Sequence, residues 1–226
     1  AGGFENMQGA IDTKGKLAAW DQHYVGFGAD EKPRIGSGLR GSELPAVAFS
    51  NARITQTLLD IDTACGAWRA PGSNTNAFVE QSFIHELATL AERDHLEFLV
   101  ELMGERRWTK EGNIGALNTG RAIDVIKLAA EKAGWGGPKK PPTVSGDSKF
   151  SRRGVGLAFY FCHAAHVAEV AEVEIIDGRP RVRSVQCAAD PGYAMNPDGF
   201  RAQMEGGIVW GLTAALKGSI DIGLKL

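Results

Sequence analysis

From Arg69 to Leu90 the chain turns through Arg-Ala-Pro-Gly and then runs into an amphipathic stretch, and no other segment restricts the fold as strongly. Phe83, Ile84, Leu87, Leu90 and Ala91 recur at helical spacing, which predicts a helix from about Asn76. Its stripe of Phe83, Leu87 and Leu90 needs a sheet to cover it. Asp94-His95-Leu96-Glu97 follows as a capping-box pattern, with Asp94 the N-cap of a second helix that reaches about Met103. Leu96, Leu99, Val100 and Met103 form its inward face. A third helix is expected over Thr119 to Ala133, with Ala122, Val125, Ile126 and Ala129 inward and Gly134 as the C-cap.

The remaining segments read as strands and one more helix. Lys16 to Trp20 and His23 to Phe27 suit strands of a meander, and a loop rich in Gly, Pro and charge spans about Ala29 to Pro45. Arg53 to Asp62 is a strand that delivers the chain to the Arg69 turn. Gly154 to Ile176 packs β-formers, and Arg181 to Ala188 pairs with it as a second long strand after the Asp177-Gly178 turn. At Asn196-Pro197-Asp198 an N-cap, a proline at the first helical position and a first-turn acid open a helix. Met204, Ile208, Val209, Leu212 and Leu216 are expected to point inward from it. The fold class is α+β, mixed strands with packed helices. The connector 137–148, rich in Pro, Gly and Lys, divides residues 1–136 (strand meander, helices and the Arg69 loop) from 149–226 (two long strands and a helix), an arrangement also compatible with one compact unit.

Composition narrows the function classes. A formal net charge of −2 offers no electrostatic case for nucleic acid or an anionic membrane, and no apolar run reaches the roughly 18 residues of a membrane helix. Cys65, Cys162 and Cys187 are widely spaced, whereas an iron–sulfur cluster needs four grouped thiolates, so they read as small buried hydrophobes. His163 and His166, read as strand residues three apart, fall on opposite faces and make a poor metal pair. The chain begins at Ala1, so a preceding native segment is expected and the compartment cannot be read directly.

Two constellations carry chemistry, and a third motif marks the fold. In Trp68-Arg69-Ala70-Pro71-Gly72, small residues let backbone N–H groups approach a ligand while one fixed cation points at it. In Asn196-Pro197…Gln203-Met204-Glu205-Gly206-Gly207, two helical glycines cost about 1 kcal/mol each relative to alanine, so a cofactor or another helix must pass close. Val167-Ala168-Glu169-Val170-Ala171-Glu172-Val173 is a strand in which Glu169 and Glu172 are expected to be solvated or paired with partner-strand arginines.

In their order along the chain the three resemble the molybdenum-binding large subunit of the xanthine dehydrogenase/aldehyde oxidase family, in particular the isoquinoline 1-oxidoreductase beta-subunit branch. The resemblance runs from about Ala52 to Leu216. It implies that Arg69 lies by the molybdenum pocket, orienting substrate or stabilising developing charge. It also implies that Ala70, Pro71 and Gly72 offer backbone contacts, and that Gln203 hydrogen-bonds the pterin with Gly206 beside it; Glu205 only orients neighbours. Pro71 replaces an aromatic residue of the xanthine dehydrogenases, which favours substrates other than purines.

The implied reaction is hydroxylation of an N-heteroaromatic or aldehyde carbon with oxygen from water, using molybdopterin cytosine dinucleotide. An iron–sulfur small subunit would take the electrons, and the rest of the large subunit would complete the site. Met103-Gly104-Glu105 reads as a helix end rather than the family's Gly-x-Gly-Glu base motif, and Gly-Gln-Gly is absent. The base is therefore expected elsewhere, the isolated chain inactive and the whole chain a fragment of the large polypeptide. A noncatalytic cofactor-carrying or assembly domain and an α+β interaction module are the alternatives. Export to the periplasm is implied by look-alikes, with the cytoplasm as the other possibility.

Overall fold

The computed structural model describes residues 3–29, 32–34, 36–39, 44, 47–60, 66–136 and 151–219. Cys65, the end of the strand expected to reach Asp62, parts of the 29–45 loop and the whole 137–148 connector lie outside these residues.

Strand β1 (Phe4–Ile11) pairs antiparallel with β2 (Leu17–Ala29), a single long strand where the sequence suggests two short ones. Its burial alternates strictly, with Trp20, Gln22 and Tyr24 facing inward, as a pleated strand with one covered face requires. β3 (Lys32–Pro33) extends the same sheet within the expected loop, and β4 (Ala52–Asp60) adds to β2 in parallel, so this sheet is mixed.

Three helices follow: α1 (Ser73–Leu90), α2 (His95–Met103) and α3 (Thr119–Lys132). Asp94 caps α2 by accepting the Glu97 N–H at 3.1 Å. Gly104, at φ 67°, closes that helix, so Met103-Gly104-Glu105 is a helix end, as its sequence reads. α3 ends in a Schellman motif: Trp135 N–H bonds the Ala130 carbonyl, Gly134 N–H bonds that of Glu131, and Gly134 adopts φ 64°. Ala122, Val125, Ile126 and Ala129 are all buried, as expected.

The stripes of α1 and α2 are rotated from expectation. Leu87 is buried and Phe83 packs edge-on against Trp20, but Leu90 is 70% exposed. The inner face of α1 is instead Asn76, Glu80, Gln81, Ile84, Leu87 and Ala88, because its first half lies against β-strand backbone that polar groups can satisfy. Gln81 Oε1, for example, accepts the Phe159 N–H at 2.9 Å. On α2 the buried face is His95, Phe98, Leu99, Leu102 and Met103, leaving Leu96 and Val100 half-buried.

The segment from Gly154 to Ile176 is two strands, not one. β5 (Ser151–Cys162), β6 (Ala165–Ile176) and β7 (Arg179–Asp190) form an antiparallel meander. Its tight turns place His163-Ala164 and Asp177-Gly178 at positive φ, the backbone that two-residue hairpins favour. One face carries Leu157, Phe159, Ala168 and Val170 into a core shared with α1, α2 and α3, which also reaches Trp20 of the first sheet.

α4 (Pro197–Leu216) begins as the sequence dictates, Asn196 Oδ1 accepting the Gly199 N–H at 2.9 Å. None of its residues is buried, however. Met204, Ile208 and Leu212 are half-buried, while Val209 and Leu216 are exposed. The physical reason is that α4 touches the domain chiefly through β7, and its apolar residues ring the helix rather than forming one stripe.

Candidate functional site

The Arg69 turn is held by its own backbone. Ala70 sits at φ 58° and Gly72 at φ 73°, which lets the Pro71 and Ala70 carbonyls accept the Ser73 and Asn74 N–H groups at 2.9 and 3.0 Å. The chain thereby enters α1 without a side-chain cap or a first-turn acid. The positive end of the α1 dipole and the Arg69 guanidinium are thus both left to meet an anionic group.

Arg69 reaches across to α4. One guanidinium nitrogen donates to Gln203 Oε1 at 3.0 Å and to the Gln203 carbonyl at 3.3 Å, joining residues 134 positions apart. With its oxygen taken, the Gln203 carboxamide has its NH2 to offer a ligand. A Cβ on Gly206 or Gly207 would lie 3.7 or 4.0 Å from the guanidinium, ordinary contact, so packing on Arg69 alone does not demand glycine. Trp68 and Trp210 meet edge-to-face at 5.8 Å beside this junction.

Behind Arg69 opens a cleft of about 750 Å³ between the start of α1, the outer face of β5 and β6, and α4. That size suits a small-molecule or cofactor site. Arg69 and Ala70 line it. Pro71, Gly72, Gln203 and Gly206 do not; Gln203 and Gly206 lie at its rim, against the Arg69 guanidinium. The space exists because α4 turns Gly207, Gly211, Ala214 and Ala215 toward it, a small-residue stripe at helical spacing of which the sequence motifs flag only Gly207.

Strand alternation also supplies groups that no motif announces. Cys162 lines the cleft, with its sulfur 3.2 Å from Ser73 Oγ and 2.8 Å from His163 Nδ1. Glu169 lines the same floor, where burial raises its carboxyl above the ordinary range, partly offset by a hydrogen bond from Cys187. Desolvation and the adjoining Glu169 push the Cys187 thiol up to about 12, although the residue as a whole is exposed rather than a buried hydrophobe.

Two expectations are corrected by this geometry. Glu172 pairs with Arg153 at 3.3 Å, but Glu169 faces the cleft and its pair across the ladder is Cys187. His163 occupies a turn, not a strand, while His166 is wholly buried and its Nε2 accepts the Asn118 N–H at 3.1 Å. That bond ties the start of α3 to β6, and the Arg121–Asp190 ion pair at 2.6 Å fixes α3 to the end of β7, from which the chain runs to α4. The Arg121 guanidinium holds Asp190 down at about 2.

Comparison with known proteins identifies the family. Residues 59–220 match the molybdopterin cofactor-binding domain, and the chain belongs to that family. It is 24% identical to a nicotinate dehydrogenase subunit of Pseudomonas putida, over 95% of this chain and 19% of the relative. To the beta subunit of isoquinoline 1-oxidoreductase from Brevundimonas diminuta it is 30% identical, over 64% of this chain and 16% of the relative. A membrane-bound, pyrroloquinoline-quinone-type aldehyde dehydrogenase of Gluconacetobacter polyoxogenes is 23% identical over 96% of this chain and 30% of its own length. The chain thus spans between about a sixth and a third of these relatives.

The site's donor set fits the family's cofactor. A guanidinium, a helix N-terminus and a primary amide suit an anionic group with a hydrogen-bonding ring, and a glycine-alanine stripe leaves it room.

Proposed function

We propose that this domain forms one wall of the molybdopterin cradle in the large subunit of a molybdenum hydroxylase, an oxidoreductase that hydroxylates an N-heteroaromatic or aldehyde substrate with oxygen from water. The observation that carries the reading is the Arg69–Gln203 hydrogen bond, which ties the two motifs together at the mouth of the cleft. Relatives named for nicotinate, isoquinoline and aldehyde oxidation support the substrate classes.

When bound, the cofactor supplies the redox capacity for oxidation at an electron-poor carbon, and its cytosine dinucleotide form is the one we propose. Within this chain, Arg69 orients substrate and stabilises charge that develops during oxygen transfer, an electrostatic role worth several kcal/mol in water-excluded sites. Gln203 donates to the pterin from its NH2. Ala70 presents backbone to the cleft, Pro71 and Gly72 shape the turn that holds it there, and Gly206 keeps the helix surface low. The general base comes from another part of the large subunit, and an iron–sulfur small subunit accepts the electrons.

The test uses the whole large subunit, with molybdenum content and turnover per molybdenum measured separately. Gln203→Ala should lower cofactor occupancy and spare turnover per molybdenum, since it removes a contact worth about 0.5–1.5 kcal/mol. Arg69→Ala should retain the metal and cut turnover per molybdenum by roughly 10- to 1,000-fold. Wild-type turnover in Arg69→Ala would refute the assignment.

A further inference from the structure

α4 runs for 20 residues, and none of them is buried. From Gly206 to Leu216 it carries no charged residue, and its apolar side chains ring the helix. A helix of that character belongs in an interior, because water on any side of it meets apolar surface. The fold meets only part of this demand. Arg69 and β7 hold the helix from one side, and Gly207, Gly211, Ala214 and Ala215 look into the cleft. With 3.6 residues per turn, the face directed away from the cleft is Ala202, Glu205, Val209, Leu212 and Leu216. Their alternating steps of three and four residues are those of a seam along which another element packs, and the seam is about 21 Å long. On it Val209 is 63% and Leu216 40% exposed, and the loop that leads into the helix leaves Tyr193 and Met195 exposed as well.

We infer that this outer face of α4 is an internal interface of the large subunit, covered by an apolar layer from the part of that polypeptide outside this segment. The chain spans between about a sixth and a third of its relatives, so the proteins it resembles have ample further polypeptide to lay on the helix. The family match runs through α4 to residue 220, which makes the helix part of the domain proper. Its lack of charge from Gly206 to Leu216 suits a permanent interior, whereas separately folded subunits meet through interfaces with a polar rim. The one charge on the seam, Glu205, lies a turn before Val209, so the covering layer brings a cation or N–H donors to that point. The inference rests on reading the chain as a segment of the large subunit, and not on where the cofactor lies.

Two measurements on the intact holoenzyme test it. The first builds a photoreactive leucine, with a diazirine in its side chain, into the enzyme and maps by mass spectrometry the cross-links formed from Leu212 and Leu216. These should reach large-subunit residues outside this segment. Cross-links to the proposed iron–sulfur subunit, to a second copy (seen between isotopically heavy and light enzyme) or back into this segment would each overturn the inference. Quenching by water to the extent seen in urea-unfolded enzyme would overturn it too. The second measurement is the melting temperature of Val209→Gln. Glutamine is the better helix former of the two, so on a solvated face it would hold or raise that temperature. Beneath an apolar layer it buries an amide without partners and should lower it by several degrees. An unchanged or higher melting temperature overturns the inference. Molybdenum content and turnover decide the Arg69 and Gln203 assignment separately, so either reading can fail alone.

Discussion

Arg69 and Gln203 were legible through the family resemblance of their two motifs, and a hydrogen bond joins them, although only Arg69 lines the cleft. Glu169 was not legible, because a strand's alternation says which residues share a face but not which face meets open space. His95 shows the same limit. It reads as the ordinary first residue of a capped helix, yet it is 5% exposed, stacked on His85 with ring centroids 4.6 Å apart and edge-on to Trp135. Burial, helped by His85, lowers its pKa from 6.5 to about 4. The folded chain therefore binds this proton less well than the unfolded chain. Above pH 6.5 neither state is charged at His95 and nothing changes. As pH falls from 6.5 toward 4, the unfolded state is protonated first and stability is lost, at up to about 1.4 kcal/mol per pH unit. Urea midpoints measured from pH 7.5 to 4.5 should show this slope in wild type and a shallower one in His95→Gln. Parallel slopes would show that His95 does not set acid sensitivity.

The elements divide by how their ends and faces are specified. Helix starts at Asp94 and Asn196 and the end at Gly134 were readable because capping is local chemistry. The inward faces of α1 and α4 were not, since they depend on what packs against them. Leu87 and Leu90 make the contrast measurable. Leu87 is 3% exposed and close enough to β1 that a methyl on Gly9 would sit 2.9 Å from its Cδ1, whereas Leu90 is 70% exposed. Leu87→Asp should prevent folding, because a buried side chain of this size contributes about 1.5–3 kcal/mol and an unpaired carboxylate in its place costs more. Leu90→Asp should leave the circular dichroism melt within a few degrees of wild type. A second contrast lies just beyond α1, where Glu92 adopts φ 53° to close a Schellman motif, its N–H meeting the Thr89 carbonyl and that of Arg93 the Ala88 carbonyl. Left-handed backbone costs a non-glycine residue about 1 kcal/mol, so Glu92→Gly should stabilise the domain by up to about that amount in a urea titration. A loss of stability there would mean that the Glu92 side chain matters more than its backbone.

At the scale of the whole molecule, one core links the mixed sheet, three helices and the inner face of the meander, and the cleft lies on the outer face. The division of labour is physical: the buried face supplies rigidity, and α4, tied down by Arg69 and its contacts with β7, walls off a space that its small residues keep open. Whether the cofactor fills that space can be read at Gly211, on the α4 wall. A Cβ there meets nothing within 4 Å, and glycine is the poorer helix former, so a larger residue intrudes on the cleft without disturbing the fold. Molybdenum per enzyme molecule, measured by elemental analysis of the whole large subunit carrying Gly211→Trp, should fall several-fold while its melting temperature holds. Wild-type molybdenum content in that variant would mean that the cofactor does not occupy this cleft.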